Sequence, residues 1–423
     1  MGPRPPRRRR DVQDHRTDGP GLTDHFEPSP QQAPARRTQR PRPQGASAGQ
    51  WRPRGRRAGR QVLLSAAVQT SGGRGTAVAG HVYIGSFTSA GGRGLTTATV
   101  DPDTGALVAL GDTADVPNPS YLTASPDGRT LYAVSETEPE GAAAAFSLAD
   151  PGAPKLLGKP VSVRGGAPTH LAVHRGHLLT ANYAEPGSVS VLGIEADGSI
   201  GAMRSLLEHE GDGPNQQRQQ GPHAHAVLTD PSGRWAVSVD LGTDSVRVCE
   251  LDPATGELEI ERELGLRSGI GPRHLVFHPA GRHAYVMNEL DSVVTVCTWD
   301  PERGSLRPVS ETRVLPEGVE GENYPSELVV SHDGRFAWAA NRGHNSIAVL
   351  GLDESGENLE LLTTVSCGGD WPRDLVLDPS GSRLYAANER SGDVTWFDID
   401  PATGIPEQAG SLPVPAVSCV RFV

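Results

Sequence analysis

Short apolar runs separated by turn-forming residues recur along the chain, and residues 271–300 show the pattern most plainly. The runs at 275–277, 284–287 and 293–299 read as strands, and His-Pro-Ala-Gly and Asn-Glu-Leu-Asp-Ser read as the turns between them. Altered copies of this unit return from residue 81 to the end. A closing turn begins seven times, at Asp101, Asp150, Glu195, Asp252, Asp300, Asp353 and Asp400, at intervals of 45 to 57 residues. A second turn begins six times, at Ser125, His174, Asp230, His278, Ser331 and Asp378. Asp-Pro and Gly supply the fixed and the positive φ that such hairpins require. Seven units of about fifty residues, each with about four short strands, predict an all-β, seven-bladed β-propeller.

The second turn lacks a seventh copy. Residues 417–423 align with the first strand of a unit and 81–87 with a second strand. The last blade is therefore expected to be closed by one C-terminal and three N-terminal strands, which hides the edges of an open sheet.

Antiparallel blades send the lead-in to strand 1 and the loop between strands 2 and 3 to the same face. At the lead-in position the repeats carry Ser120, Thr169, His225, Arg273, Ser326 and Arg373, with His223 and His274 beside them. At the loop position they carry Phe87, Glu136, Tyr183, Leu241, Glu289, Arg342 and Glu389. A repeat kept only for structure would place similar residues at equivalent positions. His, Arg, Glu and Tyr concentrated in units three to six instead describe an asymmetric polar site on a symmetric scaffold. Each residue also has a plainer reading as a solvated strand end, and Asn288, Asn341 and Asn388 as caps for their own loops. His170, His174 and His278 read as turn or packing residues. Gly-Gly-Arg-Gly at 91–94 lies in a loop where backbone N–H groups and Arg93 could meet an anion.

Charge sharpens this picture. Residues 1–80 hold 16 Arg, no Lys and 5 acids, a net of +11, whereas 81–423 carries −23 within a total of −12. The acidic body argues against a nucleic-acid groove and for an enzyme or binding protein. Residues 1–77, rich in Arg, Pro, Gly and Gln, read as a disordered basic extension, with the propeller domain at 78–423. Arg56-Arg57 before Val-Leu-Leu-Ser-Ala-Ala-Val is like a twin-arginine export signal, the alternative to a cytoplasmic location. Cys249, Cys297, Cys367 and Cys419 are far apart and read as small hydrophobes in strands. No apolar run approaches the ~18 residues of a membrane span.

From residue 78 on there is no GxSxG nucleophile elbow, and no GxxxxGK[ST] or HExxH motif is present. His223 and His225 form a His-x-His pair without a further ligand pair, so the expected site has no metal and no cofactor. What remains is proton transfer and water activation by His and Glu, with Arg holding an anion.

At GPHAH (221–225), DLGTD (240–244), GPRHLVFHP (271–279) and NEL (288–290) the sequence resembles the seven-bladed propeller lactonases, with further matches at 83–94 and 118–122. That family includes bacterial propeller-type 6-phosphogluconolactonases and is related to carboxy-muconate cyclases. The resemblance covers about 81–423. It implies hydrolysis of a sugar lactone, most simply 6-phospho-D-glucono-1,5-lactone in the pentose phosphate pathway, by a site of His225, Arg273, Glu289 and Arg342. Glu289 or His225 would activate water, Arg273 would stabilise the oxyanion, and Arg342 would hold a phosphate or carboxylate. His223, Tyr183, His274, Arg373, Glu389 and Arg93 are the candidate substrate-binding residues. A muconate-type cyclase or a non-catalytic binding propeller are the alternatives. The expected partner is a small-molecule lactone met by a monomer, with no nucleic acid or membrane.

Overall fold

A computed structural model of the chain describes residues 80–423 apart from Glu185. The readings for residues 1–77, the basic extension and the export-like segment, lie outside the described residues. Within them, strands form seven antiparallel sheets, and one short 3-10 turn (Thr88–Ala90) is the single helical element. No helix among the described residues is long and apolar enough to cross a membrane.

Each sheet is a blade. That of the 271–300 unit runs Pro272–Phe277, His283–Asn288, Val293–Asp300 and Ser305–Arg313 from the inside outward. Burial follows this order. The second strand is buried throughout, while the outer strand is largely exposed. In one blade Val417–Phe422 pairs with Gly80–Ser86, which pairs with Leu95–Val100 and then Leu107–Thr113. Another departs from four regular strands. Its outer edge is two fragments, Lys155–Leu156 and Val161–Ser162, both paired with Ala142–Ser147. Gly158, at φ 71°, and Pro160 interrupt the ladder between them.

The core lies between blades. Tyr285, Met287, Val294 and Val296 of one blade, for example, pack against Leu328, Ala337, Ala339 and Leu350 of the next. A latch at the strand-2 position ties neighbours together. Tyr285 donates to the Gly356 carbonyl (2.6 Å), Tyr385 to Gly105 (2.8 Å) and Trp338 Nε1 to Gly404 (2.8 Å). In each case the acceptor is the closing turn of the adjacent blade, so that face of the disc is structural. Tyr285→Phe should lower unfolding stability by about 1–2 kcal/mol, because it removes a buried donor while its acceptor stays. Denaturant unfolding of the two proteins checks this, and equal midpoints would disprove the latch.

The four cysteines are free and buried; Cys249, Cys297 and Cys419 lie in strands as expected, whereas Cys367 falls just after the strand Leu359–Ser366 and its thiol donates to the Gly369 carbonyl.

Candidate active site

Six of the seven inner strands carry a recurrent irregularity near their start. Pro272 faces Asn288 and His274 faces Met287, so Arg273 is an extra residue in the ladder. His225, Arg373, Thr169 and Ser418 are extra in the same way in their blades. In the Tyr324–Val330 strand, one of Ser326 and Glu327 is extra. A β-bulge of this kind breaks the alternation of faces, so that two successive side chains can turn the same way. Arg273 and His274 accordingly line one central cavity, as do Arg373 and Asp374, and Ser120 and Tyr121, just ahead of the strand Leu122–Ala124, line it as well. Proline precedes the bulge in Pro168-Thr169, Pro272-Arg273, Pro325-Ser326 and Pro372-Arg373. It has no N–H to give the ladder, which suits the first residue of a strand.

At the channel mouth, Glu289 is the hub of a charge cluster. One carboxylate oxygen accepts from Arg218 (2.6 Å), and the other accepts from Arg342 (2.5 Å) and lies 3.2 Å from Arg273 Nε. Only 3% of Glu289 is exposed. Burial opposes its ionisation, but Arg342, Arg218 and Arg273 outweigh that and hold the carboxyl well below the usual carboxylate range. An acid so firmly ionised, with both oxygens engaged, is a weak proton acceptor. Arg273 also donates to the Ser326 carbonyl (2.8 Å), and Arg342 Nε to Tyr324 O (2.8 Å). Burial and the neighbouring Arg342 push Arg273 down to about 9, which leaves it charged at neutral pH.

His225 stands against this cluster in a different state. Its pKa is driven well below the ordinary imidazole value by burial and by Arg273, with His274, Arg373 and Arg342 acting in the same direction. Nδ1 is buried without a hydrogen-bond partner, while Thr169 Oγ1 donates to its carbonyl (2.8 Å). The ring is edge-on to Tyr183 (5.7 Å between centroids) and 5.3 Å from His274. The geometry is that of a neutral imidazole beside a guanidinium in a confined space, which can take a proton from water while a cation meets the developing oxyanion.

A family model for the seven-bladed β-propeller lactonases matches residues 81–422. The chain belongs to that family. The 6-phosphogluconolactonase of Bacillus subtilis (strain 168) is 32% identical over 344 residues, spanning 81% of this chain and 97% of that protein. Among solved structures, a Lactobacillus plantarum protein aligns at TM-score 0.77 and 30% identity, covering 82% of this chain and all of the other. The Pseudomonas aeruginosa periplasmic gluconolactonase aligns at 0.76 and 29%, covering 81% and 99%. As a member of the lactonase family, the protein is a hydrolase of lactone esters.

The structure draws most of the expected lactonase residues together. Arg273, Glu289 and Arg342 are in direct contact, and His225 shares the cavity with Arg273 and His274. His223 stacks on Tyr183 (4.5 Å), and its Nδ1 is 2.8 Å from the Tyr183 carbonyl oxygen. Across the mouth Arg373 pairs with Glu389 (3.1 Å) and Glu136 (3.8 Å) and covers the Phe87 ring. Arg93 stands apart, on the exposed outer side with Asp112 at 3.5 Å. Its strand-2-to-3 loop reaches the right face, but the side chain turns toward the outer strand. His278 contacts the Gly334 carbonyl and His174 the Thr229 hydroxyl, in keeping with packing roles. His170 is different, tilted against Tyr121 (4.1 Å between centroids) and 5.3 Å from His274, both of which line the cavity. Among the described residues, no three His, Cys, Asp or Glu side chains gather as a metal-ligand set.

Four participants are not apparent from the repeat positions. Arg218 lies on a long connection between blades. His209, bonded to Asp240 (2.6 Å), and Gln219, bonded to Asp244 (2.8 Å), hold that connection down and bring Arg218 to Glu289 and the Tyr183 hydroxyl. The 57-residue interval ending at Asp252, the longest of the six, is its one sequence signal. Glu327, Asp374 and Tyr121 each follow a lead-in residue preceded by proline, and for Glu327 and Asp374 that proline is the signal for the bulge that turns both side chains inward.

Arg218→Ala should lower kcat/KM for lactone hydrolysis roughly tenfold to a hundredfold, since it deletes one charge-assisted hydrogen bond to the hub. Steady-state kinetics on a confirmed substrate measure this, and unaltered kinetics would show that Arg218 is only a surface cation.

Proposed function

We propose that the protein hydrolyses 6-phospho-D-glucono-1,5-lactone to 6-phosphogluconate, within the pentose phosphate pathway. The observation that carries this reading is the charge balance at the mouth. Arg218, Arg273, Arg342, Arg373 and Arg390 stand there against Glu136, Glu289 and Glu389, on a body whose net charge is strongly negative. Such a local cationic excess favours a substrate bearing a dianionic group. Arg390 lies 3.4 Å above the Trp371 ring, and Trp371 and Tyr324 offer half-buried apolar faces for a sugar ring. The name of the Bacillus subtilis relative points the same way.

In this mechanism His225 is the base. It takes one proton from water as the oxygen attacks the lactone carbonyl. Arg273 receives the negative charge that develops on the carbonyl oxygen, and Glu289 fixes Arg273 in place. The tetrahedral adduct collapses, the bond to the ring oxygen breaks, and that oxygen takes the proton from His225. Arg342 already spends Nε and one Nη nitrogen on Tyr324 and Glu289. It therefore contributes charge to phosphate binding through its remaining face, with Arg218 and Arg390, rather than a dedicated two-point grip. The substrate is a free small molecule, the site is complete within one chain, and the reaction uses no cofactor.

The test compares freshly prepared 6-phosphogluconolactone with unphosphorylated glucono-1,5-lactone, each corrected for spontaneous opening. At least about a tenfold preference in kcat/KM for the phosphorylated lactone is expected, on the order of one charged contact. Equal rates would remove the phosphate from the reading. No acceleration of either substrate would overturn the assignment.

A further inference from the structure

Opening a lactone with water makes a carboxylic acid, which ionises at neutral pH, so one proton must leave the site in every turnover. His225 accounts for the proton that ends on the sugar hydroxyl, and a second acceptor is needed for the one on the new carboxyl group. The structure places one lower in the channel. His274 Nδ1 is 2.6 Å from Glu327 Oε2. Asp374 lines the same cavity as Glu327, and each carboxyl group lies within the electrostatic reach of the other. The other Glu327 oxygen accepts from the Leu328 N–H (3.0 Å), and Asp374 Oδ2 accepts from the Val420 N–H (2.8 Å). Both carboxyl groups, His274 and His225 line the same cavity.

We propose that Glu327 and Asp374, acting through His274, take up the proton that lactone opening releases and pass it on to solvent. The step balances. The product's carboxyl O–H bond breaks and its proton goes to the far ring nitrogen of His274. The Nδ1 proton of His274 moves to Glu327, and the carboxylate product leaves with its charge. His274 touches the product in this scheme, while Glu327 and Asp374 are positioning residues. The inference rests on the hydrolase reading given above.

Two carboxyl groups that share one buried cavity cannot readily both be ionised, and here burial is the main force that raises both of them toward neutrality. The charges that face the pair are Arg273 and Arg421, which oppose the rise, and Tyr121 and Cys419 stand beside Arg421. His274 faces Arg273, Arg342 and Arg373, with Glu289 acting against them, and His170 lies at its edge. A fully protonated pair can accept nothing, so activity should fall as pH drops through the pair's ionisation.

The experiment is the pH dependence of kcat for wild type, Glu327→Gln and Asp374→Asn with 6-phosphogluconolactone, alongside infrared spectroscopy of the resting proteins. Each variant should lose about tenfold in kcat and have its acidic limb abolished or displaced by about one pH unit or more. The wild type should show a protonated-carboxyl band at neutral pH that disappears in either variant. Variants slowed equally at every pH, with the limb in place, would reduce the pair to a structural role and overturn the inference. So would a wild type without the band, which remains decisive even if neither variant folds. A wild type that leaves the lactone at its spontaneous rate sinks the hydrolase reading and this inference together. An active wild type whose limb survives both substitutions sinks the inference alone.

Discussion

Glu289→Gln is expected to cost the protein both activity and stability. The substitution keeps the shape of the side chain and removes the one charge that three guanidinium groups share. Removing one partner from a buried ion pair typically costs about 3–5 kcal/mol, because the remaining charge is left uncompensated. Here Arg273 and Arg342 are both buried, with side-chain exposures of 4% and 8%, and neither can swing into water to recover hydration. Without the hub, Arg273 is no longer aimed at the reacting carbonyl. Loss of an oriented oxyanion donor lowers kcat by about 10²–10³. The pH profile separates this role from that of a base. Glu289 is ionised throughout the working range, so the residual activity of Glu289→Gln should keep the shape of the wild-type profile. A profile that loses an ionisation on this substitution would make Glu289 the base after all.

His225→Asn should lower kcat by about 10²–10⁴, the usual contribution of a positioned general base, with little change in the circular dichroism of the folded protein. A second readout follows from linkage. The folded-state pKa of His225 is depressed by burial and by Arg273, whereas an exposed imidazole in the unfolded chain titrates near ~6.5. As pH falls through that value the unfolded chain takes a proton that the folded protein refuses. The contribution of neutral His225 is therefore present above about pH 6.5 and is lost below it. His170 and His274 are depressed in the same direction. Stability of the variant should thus fall less steeply on acidification, by up to one proton, or about 1.4 kcal/mol per pH unit. Chemical denaturation at a series of pH values between neutral and mildly acidic measures the difference. Parallel slopes for wild type and variant would mean that His225 is protonated in the folded protein, and a protonated imidazole cannot be the base.

How much of this was legible in the sequence depends on whether a feature repeats. The blade count, the turns and the mouth-facing loops recur at a period of about fifty residues, and local turn chemistry fixes them. Arg273, Glu289 and Arg342 stood out because unlike residues occupied equivalent places in like units. Arg93 shows the limit of that reasoning, since position in a loop does not fix the direction of a long side chain. The roles of Glu289 and His225 were also level on sequence grounds. Three guanidinium groups around one and a partnerless ring nitrogen on the other support the proposed assignment of His225 as the base.

By itself, then, the sequence determined a seven-unit all-β chain, a structural face of Asp-Pro-Gly turns, and an opposite face bearing the charged residues of a lactonase. Tertiary structure decided what those charges do. The bulge near the start of six of the seven inner strands turns successive residues inward, which the period of two in an ordinary strand forbids, and so brings Glu327 and Asp374 into the channel with His274. A connection that follows no repeat delivers Arg218 to Glu289. Both depend on contacts between residues distant in the chain, where burial raises one carboxyl group and clustered cations lower another. A one-dimensional pattern does not carry that information.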